Sequence, residues 1–278
     1  MTAIDASTSQ CYDRLAPAYA CLSAGYDHGR WLAKLLGIAR DAGLRGVRAL
    51  DLGCGTGAVT EPLVEAGFDV CAVDRSGGML EIAARRLGGR ARLVEADMRE
   101  LPALGRFDLV TCVDDTLNHL LSPTDLRAAL ASMAARLAPG GVLVFDSNTL
   151  ATLRTVFSTD SSSADGSAVV LWRGLGDPAL PPGGIARAEL TVFSLAEGRS
   201  EQVERLAIAE RHHPLDEVLQ ALWTCGLEPA RVLGQHRGAR LGGEPPDEAV
   251  HHKIVVAARR PVGLYTWAHA HGAEGGVC

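Results

Sequence analysis

An apolar stretch, Val47–Leu52, runs straight into three glycines at alternate positions, Gly53, Gly55 and Gly57, and Ala58–Ala66 then reads as a helix. A short strand, a tight glycine turn and a helix constrain the fold more than any other feature of the chain. Glycine tolerates left-handed backbone and lets a ligand approach the main chain closely. The rhythm continues downstream. Asp69–Val73 reads as a strand, Met79–Leu87 as a helix, and Ala91–Glu95 and Phe107–Cys112 as strands. Asp125–Leu137 reads as a helix stopped by Pro139, Gly140 and Gly141, and Val142–Asp146 as a fifth strand. Strands alternating with helices predict crossover units and an α/β fold, a doubly wound and mostly parallel sheet.

Other patterns flank this core. Residues 10–44 read as helical, with Trp31, Leu32, Leu35, Leu36 and Ala39 at helical spacing. Past Asp146 the alternation breaks. Residues 158–167 are rich in Ser, Asp and Gly and read as a loop. Ala168–Arg173, Ala186–Leu195 and Gln202–Ala209 lean towards β structure, and the turns between them predict antiparallel pairing. Helix Leu215–Cys225 and strands Glu228–Leu233 and His252–Ala258 restore the first pattern. The expected organisation is a helical lid (1–44), a cofactor-binding core (45–146), a β insertion serving as cap or oligomer interface (147–213), the rest of the core (214–260) and a loosely ordered tail (261–278).

Bulk properties narrow the classes. The 278 residues suit one large domain with an insertion, and 47% hydrophobic residues support a sizeable core. A net charge of −6 argues against a nucleic-acid partner. The cysteines, at 11, 21, 54, 71, 112, 225 and 278, are odd in number and form no Cys-x-x-Cys pair. That pattern suits neither a disulfide framework nor a zinc site, and points to a reducing compartment. No signal-like segment opens the chain, and no apolar run approaches the roughly 18 residues of a membrane span. A cytoplasmic protein without a membrane partner is expected; a homo-oligomer is left open.

Asp74 ends the second strand, where an acid accepts hydrogen bonds from ribose hydroxyls. From these residues alone the cofactor is ambiguous, since Gly53, Gly55 and Ala58 also satisfy the dinucleotide pattern. A nicotinamide-dependent oxidoreductase would need a hydride-transfer group such as Tyr-x-x-x-Lys. The chain's two lysines, Lys34 and Lys253, lie outside 45–150, and neither has a tyrosine four residues before it.

Five motifs in order carry a resemblance. Asp51-x-Gly53-x-Gly55-x-Gly57 resembles the first motif of class I S-adenosylmethionine-dependent methyltransferases. Asp74 matches that family's ribose-binding acid, and Asp97-Met98 its pair beside the adenine. Phe107-Asp108-Leu109-Val110 resembles the fourth strand, and Pro139-Gly140-Gly141 the turn before the fifth. The likeness covers residues 45–150 well and 210–260 more loosely. It implies a seven-stranded sheet with the last strand antiparallel. It also implies S-adenosyl-L-methionine as cofactor, held by Asp51, Gly53, Gly55, Gly57, Asp74, Asp97, Met98 and Val113. This methyl donor carries no pyrophosphate to seat on a helix N-terminus; it presents an amino-acid group, a ribose and an adenine.

On the acceptor side, His119 lies past the fourth strand, where small-molecule methyltransferases often place a general base or a polar orienter. The segment Cys11-Tyr12-Asp13-Arg14-Leu15-Ala16-Pro17-Ala18-Tyr19 resembles the lid of natural-product methyltransferases, including those acting on sugars and amino sugars. The catalytic candidates are therefore His119, Tyr19 and His212, with His213 beside the last. Adjacent histidines on a strand face opposite ways and do not readily share an ion. Asp114-Asp115 could hold magnesium, but reads more simply as a pair of loop acids; no metal is expected. Trp172 reads as core. The resemblance implies methyl transfer to an oxygen or nitrogen of a small-molecule acceptor, such as a sugar or amino sugar of secondary metabolism. The alternatives are an NAD-dependent oxidoreductase, a non-catalytic S-adenosylmethionine-binding protein, and a nucleic-acid methyltransferase. The last would show Asn/Asp-Pro-Pro-Tyr where Val113-Asp114-Asp115-Thr116 stands.

Overall fold

The computed structural model describes residues 8–23, 25–196, 199–236 and 240–263. Most of the tail expected to be loosely ordered, 264–278, lies outside them. The strands of the core are β1 (Arg48–Leu52), β2 (Asp69–Asp74), β3 (Arg92–Glu95), β4 (Phe107–Cys112) and β5 (Leu137–Asn148). They are joined by β10 (Glu228–His236), β11 (Arg240–Leu241) and β12 (Lys253–Arg259) in an eight-stranded sheet of order β11-β10-β12-β5-β4-β1-β2-β3. β1 to β5 pair in parallel, whereas β12 runs antiparallel to both β5 and β10. The expected antiparallel ending is present, and the count exceeds seven by one two-residue edge strand, β11. The crossover at β1 places Gly53 at the switch between β2 on one side and β4 on the other, where open α/β sheets bind ligands.

Helices cover both faces. α3 (His28–Asp41) is capped by Asp27, whose carboxylate accepts the Arg30 N–H at 2.8 Å. Its apolar stripe buries Trp31, Leu32, Leu35 and Leu36 on one face of the sheet. Each such side chain contributes about 1.5–3 kcal/mol. α6 (Pro123–Arg136) starts at the Ser122 cap, with Pro123 in its first turn. With α8 (Leu215–Thr224) it fills the opposite face. α4 (Thr60–Glu65) and α5 (Gly77–Leu87) complete the crossovers, and α5 ends on Gly88 at φ 56°.

Three local readings change. The helical stretch 10–44 is broken into α1 (Thr8–Leu15), a 3-10 turn holding Pro17, α2 (Tyr19–Ser23) and α3. β5 begins earlier than expected. Its ladder to β4 jumps from Phe107↔Leu137 to Leu109↔Val142, so Pro139, Gly140 and Gly141 form a bulge within the strand. Residues 158–167 are not wholly loop, because β6 (Ser161–Ala164) pairs antiparallel with β7 (Ala168–Gly174). Backbone pairing there overrides a Ser-rich composition that favours turns. The insertion is a four-stranded antiparallel sheet, β6-β7-β8-β9, with β8 (Ile185–Ala196) and β9 (Arg199–Arg211) as its long pair. It follows a helix with no clear sequence signal, α7 (Leu150–Val156). Its apolar face packs Leu190, Leu206 and Ile208 with Leu15 of α1 and Leu153 of α7 in a third core. The N-terminal helices and the insertion thus share one hydrophobic core.

Candidate active site

The glycine turn is built as its residue types require. Gly53, Gly55 and Gly57 take φ of 64°, 52° and 79°, all left-handed. A Cβ on Gly53 would strike Thr116, and one on Gly57 would come into ordinary contact with Ala83 and Leu87 of α5. A Cβ on Gly55 would meet no protein atom within 4 Å. Gly55 therefore faces open space, and that space is a cavity of about 490 Å³.

The cavity has two ends. One is lined by Gly53, Gly55, Asp74, Ala96, Asp97 and Met98. Asp74 accepts the N–H of Gly55 at 2.8 Å and that of Ser76 at 2.9 Å, so it also pins the glycine turn to the start of α5. Burial raises its carboxyl above the usual range. Asp97 is held below that range by the Arg99 guanidinium. These residues fit the methyl donor on the structure's own terms. Open space stands where the Gly55 side chain would be, and acceptors stand at the ends of β2 and β3.

The other end is formed by Tyr12, Tyr19, Asp115, His119, Asn148, Trp172, Glu210 and Lys253. The N-terminal helices, the turn after β4, β5, the insertion and β12 each contribute. Asp114 and Asp115 both sit at left-handed φ, 57° and 53°. Such strain persists when the surroundings hold it. Here Asp146, fully buried, accepts the Asp114 N–H at 3.1 Å, the Asp115 N–H at 2.8 Å and the Trp31 indole N–H at 3.2 Å. Lys253 lies 2.9 Å from Asp115 and 3.0 Å from Asp146. Burial pushes Asp115 up, but the Lys253 ammonium outweighs it and the carboxyl ends below its ordinary range. Asp114 pairs with His28 at 3.1 Å. Both acids that the sequence offered to magnesium already have cationic or imidazole partners.

His119 has a definite tautomer. Its Nδ1 faces the Ala209 carbonyl at 3.3 Å, and a carbonyl only accepts, so Nδ1 carries the hydrogen. Nε2 then accepts the Tyr12 hydroxyl at 2.9 Å. Burial lowers the imidazole's proton affinity, leaving it neutral.

Not every expected site residue faces the cavity. Asp51 is buried, accepting the hydroxyls of Thr60 at 2.6 Å and Thr111 at 2.8 Å. Burial raises it to about 6. It supports the turn from behind, as Gly57 does by packing on α5. Val113 is buried in the core. His212, at 0% exposure, accepts the Gly183 N–H and faces Glu248. His213 faces the other way, towards the Leu117 carbonyl and Arg211. Both histidines anchor the exit of the insertion, so the structure supplies no role for His212 at the acceptor end. Trp172, expected in the core, instead forms part of the cavity wall and donates its indole N–H to the Val156 carbonyl. Glu210, Asn148 and Lys253 were not singled out from the sequence.

Known proteins resemble this chain in sequence and in fold. Residues 49–141 match a family described as a methyltransferase domain. The chain is 30% identical over 195 residues to the methyltransferase-family protein YqeM of Bacillus subtilis (strain 168), covering 66% of this chain and 75% of that protein. It is 35% identical over 122 residues to the dTDP-3-amino-3,6-dideoxy-alpha-D-glucopyranose N,N-dimethyltransferase of Streptomyces fradiae, covering 44% of this chain and 48% of that enzyme. The chain thus spans three quarters of the first relative and about half of the second. A crystal structure of an S-adenosylmethionine-dependent methyltransferase from Clostridium acetobutylicum ATCC 824 superposes with a TM-score of 0.73 at 22% identity, over 90% of this chain and 99% of that one. The chain belongs to the class I S-adenosylmethionine-dependent methyltransferases.

Proposed function

We propose that this methyltransferase acts on the amine nitrogen of a small polar metabolite of the amino-sugar class. The observation that carries this is the acceptor end of the cavity, where two carboxyl groups, Asp115 and Glu210, stand beside a neutral imidazole whose Nε2 is already engaged by Tyr12. A hydroxyl acceptor needs a base with a free atom to take its proton as the new bond forms. An amine needs only to be held in line without its extra proton. The Streptomyces relative, named for an amino sugar, supports the same class.

S-adenosylmethionine, when bound, supplies a methyl group on a positively charged sulfur. Asp74 and Asp97 would hold its ribose and adenine, and Gly55 leaves room for its amino-acid end. Tyr12, Tyr19 and Trp172 exclude water. Asp146 and Lys253 fix the strained turn that sets Asp115. The insertion acts as a cap, since Trp172 and Glu210 line the cavity from it. Among the described residues no helix is long and apolar enough to cross a membrane. The six described cysteines are free thiols, which suits a reducing cytoplasm.

The test is turnover of dTDP-3-amino-3,6-dideoxy-α-D-glucopyranose and its 3-hydroxy analogue. It follows S-adenosylhomocysteine formation and the product's mass. Methylation of the amino compound alone is expected. Methylation confined to the hydroxy compound contradicts the amine reading, and cofactor binding without any transfer would favour a non-catalytic protein.

A further inference from the structure

Glu210 is 4% exposed, lines the acceptor end and accepts the Asn148 amide N–H at 2.8 Å. One polar atom each of Asp115, His119 and Glu210 lies within 4.8 Å of the others. Asp115 and His119 face Glu210 from the turn after β4, Lys253 from β12 and Tyr12 from α1, with Asn148 as its neutral donor. The Lys253 ammonium is shared between Asp115 and Asp146 and lowers Glu210 only from a distance, and among the described residues no ion pair is made to Glu210. Two carboxyl groups side by side, Glu210 buried and Asp115 half-buried, hold a proton between them, because both cannot ionise cheaply. Burial and the Asp115 charge push Glu210 well up, while Lys253 holds Asp115 down, so the proton resides on Glu210.

We propose that the Asp115–Glu210 pair is the amine subsite, in which the acceptor's ammonium enters in exchange for the proton the two carboxyl groups hold, making Glu210 the residue that selects an amine over a hydroxyl group. The proposal rests on the amine reading above. On entry the pair releases one proton to solvent, and the ammonium donates an N–H to the Glu210 carboxylate. Beside the positively charged sulfur of the methyl donor that proton passes from nitrogen to oxygen, since a neighbouring positive charge disfavours the ammonium; beside the uncharged sulfur of S-adenosylhomocysteine the ammonium–carboxylate pair remains. The freed lone pair then forms the nitrogen–carbon bond while the carbon–sulfur bond breaks. The bonding electrons stay on sulfur, and the positive charge moves to nitrogen. Glu210 ends protonated, as it began, and the methylated ammonium leaves. An uncharged hydroxyl group has no charge with which to displace the proton.

Glu210→Gln tests this, because the amide keeps the neutral shape, the acceptor for Asn148 and a donor towards Asp115, but cannot ionise. Fold and S-adenosylhomocysteine affinity should be unchanged. KM for dTDP-3-amino-3,6-dideoxy-α-D-glucopyranose should rise roughly 10–100-fold, the loss of a charged hydrogen bond. An unchanged KM overturns the proposal and leaves the amine reading standing. A wild-type enzyme that methylates only the hydroxy analogue overturns both. A second measurement needs no turnover: carboxyl carbon-13 NMR of the full chain with S-adenosylhomocysteine, the Glu210 signal assigned by its loss in the Gln variant. Supporting results are a carboxyl still protonated well above the ordinary glutamate value of about 4.3 and ionised on adding the amino sugar. Titration at the ordinary value overturns the proposal.

Discussion

Gly53 and Gly55 share left-handed backbone but differ in what a side chain would meet, and that difference separates folding from binding. Gly55→Ala places a methyl group where no protein atom lies within 4 Å. The fold should lose only the cost of a non-glycine residue at φ 52°, about 1–2 kcal/mol. In a chain of this size that lowers Tm by a few degrees, at roughly 2–4 °C per kcal/mol. Gly53→Ala carries the same backbone cost. It also drives a methyl group into Thr116, whose Oγ1 would stand 2.8 Å away and whose hydroxyl is anchored on the Val113 carbonyl. Overpacking adds about 1–3 kcal/mol, so Gly53→Ala should lose about 2–5 kcal/mol. Binding should follow the opposite emphasis. Gly55→Val fills cofactor space and should weaken S-adenosylhomocysteine at least ~100-fold, equivalent to about 2.7 kcal/mol, in a protein that still unfolds cooperatively. Thermal melts and isothermal calorimetry on the three variants measure both quantities. Normal affinity in folded Gly55→Val, or equal destabilisation by the two alanines, would refute the assignment of the turn.

Three further outcomes are expected. Asp74→Ala removes the acceptor from two backbone N–H groups as well as from the ribose, so calorimetry should show affinity falling tenfold or more and melts should show a stability loss of about 2–6 kcal/mol. His119→Ala should leave donor binding intact and, with an amine acceptor, mainly raise KM; a fall of 10²–10⁴ in single-turnover rate would instead mark a general base and an oxygen acceptor. Asp51, raised by burial from 3.8 to about 6, binds its proton more tightly folded than unfolded, so stability falls as pH rises between those values, by up to about 3 kcal/mol. Asp51→Asn should remove that part of the fall, so melts at pH 5 and pH 7.5 should differ less than in wild type; an unchanged difference would show that Asp51 ionises at its ordinary value.

What the sequence made legible follows from the range over which its signals act. Periodicity and glycine punctuation are local, and they locate β1, β2, β4 and the long strands of the insertion to within a few residues. The strand end at Asp74 and the glycine turn holding Gly55 were readable because both are set by neighbours in the chain. The dividing line inside the motif was not: Gly55 opens to the cavity, while Asp51 and Gly57 hold the turn from behind. All three satisfy one spacing, and only packing against Thr60, Thr111 and α5 separates them. His212 misled for the same reason, since a histidine near a site and a histidine anchoring a strand exit look alike until Gly183 and Glu248 are in place. The acceptor end depended on contacts that no local pattern encodes, because Asp115, Glu210 and Lys253 meet only when the insertion folds over the core. A usable signal was nevertheless present in β9. Leu206, Ile208 and Glu210 alternate onto one face of the strand, opposite Leu190, Ala188 and Ala186 of β8. A carboxylate at the third position of an inward apolar series must have a partner or a proton, since an isolated buried charge is too costly. Such a break in alternation therefore marks a place where the fold keeps a polar group for use rather than for packing, and in this chain it stands at the acceptor end of the cavity.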